Sequence, residues 1–296
     1  MDVTHDYIVT RSYAKINIGL RITGKRDDGY HDIETVFKAI SLADTITIEK
    51  NPQNEVRIFS KQTNIPLDET NICAKAVRLL ERETGRRLGA DIHIEKSIPT
   101  GAGLGGGSSN GACVLMRINE LYDLKLNDSK LMELGATLGS DVPFFVGFLL
   151  GKGNTALGKG RGEILEFFQW DLTEKILLIY PNIEISTAWA YQNFREVLDA
   201  QNTENSSLSL TNKAKSIMFS APLEKEVFLD NDFEPVVFAK HSKIRALREL
   251  LEKENAVFSR MSGSGSTVFG LFEKTRNLEK LISEMSENFV AVCDFV

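Results

Sequence analysis

Between Gly101 and Gly107 the chain places five glycines, followed by Ser108, Ser109 and Asn110 at the start of a helical run. Such a stretch brings bare backbone N–H groups and the positive end of a helix to one point, which is the arrangement that holds phosphate. Glycine serves there because a Cβ would block close approach and penalise the left-handed torsions that turn successive N–H groups inward. Downstream, Asp141 follows Gly139 and Ser140 at the end of another helical run. A carboxylate suits a general base, and one set just before Val142 and Pro143 equally suits a helix N-cap. Upstream, Lys15 and Asn17 share one face of an alternating segment, about 7 Å apart by strand rise. Lys15 reads either as a solvated strand lysine or as a cation that steadies a developing negative charge.

Three rival readings of the glycines fail on context. Gly101, Gly103 and Gly106 spell GxGxxG, but Glu120, at the ribose-binding spacing, lies inside a helical run instead of at a strand end. Gly107, Ser109 and Gly111 match GxSxG, with Asp141 and His241 following in hydrolase order; a nucleophile elbow follows a strand directly, however, and here glycines intervene. GNTALGKG at 153–160 nearly matches a Walker A loop, yet Gly160 stands where the magnesium-binding Ser or Thr belongs.

The elements that must position these residues read as a β-rich start followed by alternating helices and strands. Ile16, Ile18, Leu20 and Ile22 alternate with Lys15, Asn17, Gly19 and Arg21, which predicts a strand over 14–22 with one buried face. KRDDGYH at 25–31 is turn-rich, and 45–49, 55–59 and 91–95 read as further strands. A helix over 71–83 stops at Gly85, a common C-cap residue. After the glycines, Ala112, Leu115, Ile118 and Tyr122 form an apolar helix face, with a second helix over 128–138. GKGNTALGKGRGE at 151–163 reads as a glycine-rich connection, 175–180 as a strand, and 200–216, polar and serine-rich, as a mobile loop. A helix over 242–253, a strand over 268–272 and a last helix from about 276 complete the chain.

Length and composition bound the function. The chain has 296 residues, 42% hydrophobic and 26% charged, as in an ordinary globular protein of two domains or one large one. Its formal charge of -6 argues against nucleic acid as the main ligand, because phosphate backbones need clustered positive charge. The most apolar run, Val142–Leu150, is nine residues long and holds proline and glycine, too short for a membrane span. No secretory signal is visible at the N-terminus, so a cytoplasmic location is expected. Cys73, Cys113 and Cys293 are too few and scattered for a disulfide framework or metal knuckle and read as reduced packing residues.

Three segments together resemble the GHMP kinase superfamily: SYAKINIGL near the N-terminus, PTGAGLGGGSSNGA in the middle and SRMSGSGSTVFGLF near the C-terminus. Their order and spacing fit across nearly the whole chain. DGYH at 28–31, the triple glycine of LGGGSSN, and LGSDVPFF are similar to the branch whose acceptor is a methylerythritol carrying a cytidine diphosphate. GRGEIL, PNIEISTAWAY and NDFEP agree with that branch. The resemblance implies phosphorylation of the acceptor's 2-hydroxyl by ATP, in non-mevalonate isoprenoid precursor biosynthesis. It implies an α+β, two-domain GHMP kinase fold: a ribosomal-protein-S5-like ATP-binding domain over 1–165 and a ferredoxin-like domain over 166–296, with the active site in the cleft between them. Gly111, in place of the alanine common after SSN, and Arg161, where a small apolar residue is expected, depart from the pattern.

The resemblance also implies roles. Asp141 is the catalytic base and Lys15 its partner. ATP is expected at Asn71, Lys96, Pro99, Gly101, Gly103, Leu104, Gly105, Gly106, Gly107, Ser108, Ser109 and Asn110, with Mg2+ arriving on ATP and no dedicated protein metal site. Tyr30 and Tyr191 are placed to stack cytosine, and His31 to hydrogen-bond its edge. Asn17, Thr187, Gly263, Ser264 and Gly265 are placed to hold the rest of the acceptor. The partners implied are small molecules, with neither nucleic acid nor membrane, for a monomer or homodimer. The presence of Lys15 and Asp141 disfavours a catalytically silent member, and DGYH disfavours mevalonate, homoserine or galactose as acceptor, because none carries cytosine.

Overall fold

The computed structural model describes residues 6–200 and 230–296. The serine-rich stretch expected as a loop lies, from 201 on, outside the described residues. Contacts divide the chain into two compact units that interleave in sequence. The first takes the chain up to Ala14, Leu42–Thr100 and Gly105–Lys152; the second takes Lys15–Ser41, Gly101–Leu104 and everything from Gly153 onward. Two long strands, β1 (Tyr7–Lys25) and β2 (His31–Lys50), contribute to both.

In the first unit the latter half of β2 pairs antiparallel with β4 (Ala90–Glu95), Thr45 opposite Glu95, and β3 (Val56–Phe59) pairs parallel with β4. The helices of this unit are α1 (Ile72–Thr84), between β3 and β4, and α2 (Gly106–Leu121), α3 (Asp128–Leu138) and α4 (Val142–Leu149) after them. The ends of α1 follow from its residues. The Asn71 side chain accepts the Cys73 N–H at 2.9 Å, and Gly85, at φ +66°, returns its N–H to Glu81 O. Ala112, Leu115 and Ile118 are fully buried, as their spacing predicts, and each large side chain contributes on the order of 2–3 kcal/mol of hydrophobic stabilisation. Gly111 sets how closely α2 approaches α1, since a Cβ there would stand 2.9 Å from Ile72 Cγ1.

In the second unit the first half of β2 pairs with β5 (Thr155–Lys159), which pairs with β6 (Ile164–Phe168). A four-stranded antiparallel sheet has the order β10-β7-β9-β8, formed by β7 (Lys175–Tyr180), β8 (Phe258–Met261), β9 (Val268–Phe272) and β10 (Phe289–Cys293). Its helices among the described residues are α5 (Thr187–Ala200), α6 (Glu234–Lys240), α7 (Ser242–Lys253) and α8 (Glu279–Ser283). Leu177, Ile179, Phe233, Leu251, Val268 and Phe272 join strands and helices in one apolar core.

Several sequence expectations are corrected. β1 has no solvated face over 14–20: Lys15 is 4% and Asn17 2% exposed. β2 is one strand of 20 residues, not a short one over 45–49, because Val36 to Ile40 are buried on both faces and show no alternation. Inside the supposed glycine-rich connection lies β5; Gly158 belongs to that strand, where a Cβ would stand 2.7 Å from the Phe37 ring. The last helix starts at Glu279, whose N–H is accepted by the Asn277 side chain.

Lys38 is among the fully buried residues. Its Nζ donates to Trp170 O at 2.5 Å and lies 5.5 Å from the Phe295 ring centroid. Burial lowers its pKa to about 7, against the opposing charge of Asp171. The three cysteines are free and buried, and no helix among the described residues is long and apolar enough to cross a membrane.

Candidate active site

Four polar groups meet in the second unit. Lys15 Nζ donates to Asn17 Oδ1 at 2.6 Å and to Gly103 O at 3.1 Å. Asn17 Nδ2 donates to Thr35 Oγ1 at 2.7 Å, and Thr35 in turn donates to Gly19 O at 2.6 Å. This chain of donors settles which way the amide faces: oxygen toward the ammonium, nitrogen toward the threonine. The strand places Lys15 and Asn17 two residues apart on one face, and the backbone bond from Lys15 N to Leu104 O fastens that strand to the glycine loop.

The loop after β8 closes on the same spot. Ser262 Oγ donates to Gly103 O at 2.9 Å and accepts the Asn17 N–H at 3.2 Å. Asn231 is buried, and its Nδ2 donates to Met261 O at 2.7 Å and Gly263 O at 2.8 Å, which holds the loop's entrance. Gly263 has φ +59°, and a Cβ there would come within 3.1 Å of Asn17 Oδ1 and 3.7 Å of Lys15 Nζ. Gly265, at φ +90°, donates its N–H to Ser262 O. Ser264 is bonded to Thr187 at the start of α5, Oγ to Oγ1 at 2.9 Å. Hydrogen bonds and close contacts within one unit thus bring together Lys15, Asn17, Gly103 and Gly263, with the Ser264–Thr187 pair on the same loop.

Two further pairs lie in this unit. His31, the first residue of β2, stacks on Tyr191 of α5 with ring centroids 4.8 Å apart and planes 11° apart. Tyr191 also meets Phe233 edge-on at 4.9 Å. Tyr30 is 56% exposed, and the Arg161 guanidinium lies 5.0 Å from its ring centroid. The structure therefore brings His31 and Tyr191 together face to face and gives Tyr30 a separate companion.

In the first unit the start of α2 is held by a buried network. Asp44, fully buried, accepts the Ser97 N–H at 2.8 Å, the Ile98 N–H at 2.9 Å and Asn110 Nδ2 at 2.8 Å, and it pairs with Lys96 Nζ. Asn110 Nδ2 also reaches Ser12 Oγ at 2.8 Å, and Ser12 donates to Ser109 Oγ at 2.8 Å. Lys96 is not the exposed strand-end lysine that its position suggests: its side chain is 7% exposed. Asn71 caps α1 and donates to Pro66 O at 2.6 Å. Pro99 lies just before the glycine loop and is half-buried. Gly101, Gly103 and Gly105 alternate along that loop with φ of +67°, +80° and +69°, while Gly106 and Gly107 open α2. Leu104 is buried and Ser108 half-buried, and a Cβ on Gly107 would meet nothing within 4 Å. Such a loop leading into a helix of 16 residues exposes N–H groups as an anion site requires. Asp141 stands at the N-cap position of α4, with φ -85° and ψ -15°, but its carboxylate makes no capping bond to that helix. Among the described residues no cluster of three or more His, Cys, Asp or Glu could hold a metal.

The family models for the GHMP kinases N terminal domain and the GHMP kinases C terminal domain match residues 71–147 and 219–291. A protein of Prosthecochloris aestuarii named 4-diphosphocytidyl-2-C-methyl-D-erythritol kinase is 39% identical over 289 residues, 96% of each chain. This chain belongs to that family of GHMP kinases. A kinase of the same name from Clostridioides difficile is 39% identical over 271 residues, 90% of this chain and 88% of that one. A crystal structure titled 4-(cytidine 5'-diphospho)-2C-methyl-D-erythritol kinase matches at TM-score 0.76 and 27% identity, covering 98% of this chain and all of that one. The homoserine kinase of Cytophaga hutchinsonii, at 17% identity and TM-score 0.73, shares the fold. For this GHMP kinase, sequence reading missed Asp44, Thr35 and Asn231. Asp44 lies in SLADTITI among Ser and Thr, and its backbone partners Ser97 and Ile98 are far away in sequence.

Proposed function

We propose that this kinase transfers the γ-phosphoryl group of ATP to the 2-hydroxyl of 4-diphosphocytidyl-2-C-methyl-D-erythritol. The observation that carries the cytidine part is the stack of His31 on Tyr191, residues from separate segments that come together at 4.8 Å, with the exposed Tyr30 preceding His31 in the chain. Flat aromatic surfaces of this kind suit a nucleobase.

Phosphoryl transfer asks the protein to position donor and acceptor, to neutralise moving charge and to take the acceptor's proton. Asp141 takes the proton from the 2-hydroxyl. The Lys15 ammonium, aimed by Asn17 and Gly103, steadies the alkoxide as it forms. The N–H groups around Gly105 to Ser108 hold the phosphates of ATP, which brings its own Mg2+; Ser109, Lys96 and Asn110 shape that cradle, and Asn71 borders the adenine. Gly263, Ser264 and Thr187 hold the acceptor next to Asn17. Both substrates are small molecules, and no nucleic acid partner is required.

The test is a comparison of catalytic efficiency with cytidine-bearing, uridine-bearing and base-free acceptors, the last being 2-C-methylerythritol 4-phosphate. The base-free acceptor is expected to react hardly at all, because its remote binding energy is missing. Tyr191→Ala should weaken the cytidine acceptor by about 1–3 kcal/mol, the worth of one stacked base. His31→Ala should narrow the preference for cytosine over uracil. Equal efficiency for the base-free acceptor in the wild type sinks the cytidine assignment.

A further inference from the structure

The turn between β5 and β6 reads GRG, and its two glycines have φ of +67° at Gly160 and +110° at Gly162. Those torsions reverse the chain within three residues and leave Arg161 as the only side chain of the turn's tip. The turn is seated on the start of β2: Ile33 N–H donates to Gly160 O at 2.7 Å, and a Cβ on Gly162 would be in contact with Phe37 at 3.4 Å. Glu163 grips Arg161 twice, accepting its backbone N–H at 2.6 Å and lying 3.7 Å from its Nε. The guanidinium so aimed sits 5.0 Å from the centroid of the Tyr30 ring.

Tyr30 is fixed from its other end. Asp28 Oδ1 accepts the Tyr30 N–H at 3.1 Å, Arg26 N–H bonds back to Tyr30 O at 2.9 Å, and Gly29 at φ +86° makes that tight turn feasible. The backbone of Tyr30 is therefore set, while its ring, 56% exposed, has Arg161 as its ring partner. An exposed ring without such a partner samples several rotamers, and ordering it opposes binding.

We infer that Arg161 is a positioning residue for the acceptor's base: it covers one face of Tyr30 and presets the ring, leaving the other face for the pyrimidine. The inference rests on the cytidine-bearing acceptor proposed for this kinase. A guanidinium suits the role better than an ammonium, because it is planar, stacks on a ring face and is less strongly hydrated.

The experiment measures steady-state kinetics of wild type, Arg161→Met, Arg161→Lys, Tyr30→Leu and the Arg161→Met/Tyr30→Leu double variant, with cytidine-bearing and base-free acceptors. An exposed cation–ring contact predicts a loss of about two- to fivefold in Arg161→Met, sited in KM for the cytidine acceptor rather than in kcat. Arg161→Lys should recover part of it. In the Tyr30→Leu background the same substitution should cost less than about 1.5-fold, since the ring it serves is gone. A cytidine-selective wild type whose KM for the cytidine-bearing acceptor is unchanged in Arg161→Met overturns this inference alone. Equal losses in both backgrounds do the same. A wild type that uses the base-free acceptor equally well overturns the cytidine reading and this inference together.

Discussion

Lys15 and Asn17, two residues apart on β1, are bonded to each other side chain to side chain at 2.6 Å in an almost solvent-free place. A buried ammonium is tolerated only when its protons find acceptors, and Asn17 Oδ1 and Gly103 O supply two. Lys15→Met should lower kcat by at least about 100-fold, the range of lost charge stabilisation, with a smaller loss of acceptor affinity. Thermal denaturation alongside kinetics decides the matter. A large fall in Tm with near-normal kcat would make Lys15 a structural residue.

Asp141→Asn keeps shape and loses the proton acceptor. Turnover should fall by about 10²- to 10⁴-fold, while the dissociation constant for ATP, measured by calorimetry, stays within about twofold. The carboxylate makes no capping bond to α4, so this variant removes no cap from that helix. Near-normal turnover would defeat the assignment of the base.

The glycine loop contains two kinds of glycine, and substitution should separate them. A Cβ on Gly103 would stand 2.4 Å from Ser262 O, and its φ of +80° already strains any other residue, so Gly103→Val should destabilise the fold by more than about 2 kcal/mol. Gly107 has open space and an ordinary φ, so Gly107→Val should fold normally and raise KM for ATP about tenfold or more. If Gly107→Val binds ATP as the wild type does, the phosphates do not lie against that turn of α2.

Lys38 gives stability a pH dependence with a definite sign. Its folded pKa of about 7 lies below the ordinary 10.5, so between those values the unfolded chain binds a proton that the folded chain lacks. Stability from this group therefore rises with pH over that window and is lost as pH falls toward 7. Lys38→Met should gain most over the wild type at pH 6 to 7, and the difference should shrink toward pH 10, less a constant loss for the unanswered Trp170 carbonyl. Urea midpoints at three pH values test this. A difference independent of pH would refute it.

Legible in the amino-acid order are the segments whose residues carry their own punctuation. Asn71 and Gly85 bound α1, the glycines open α2, and α7 and β9 fall where periodicity places them. Segments buried on both faces are illegible, because alternation disappears when neither side meets water. That is why only the far end of β2 shows as a strand and why Lys15 and Asn17 look solvated from their spacing. Asp44 and Asn231 escape for another reason: their work is to hold backbone groups far away in sequence, and single-residue chemistry does not announce such partners.

Asp44 also fixes a length. By accepting Ser97 and Ile98 N–H groups before the glycine run and the Asn110 amide after it, one carboxylate pins both ends of that run. The segment between those anchors then spans the residues from Pro99 to Ser109, and within it Gly103 O and Leu104 O are themselves held by Lys15 and Ser262. Closing a tether has an entropic cost that grows as about (3/2)RT ln n with its n residues, and a short loop fixed at both ends has already met most of that cost during folding. Nucleotide binding to this kinase should thus carry a small ordering entropy for so glycine-rich a loop, with the glycines supplying reach and torsion while the carboxylate behind them supplies the stiffness.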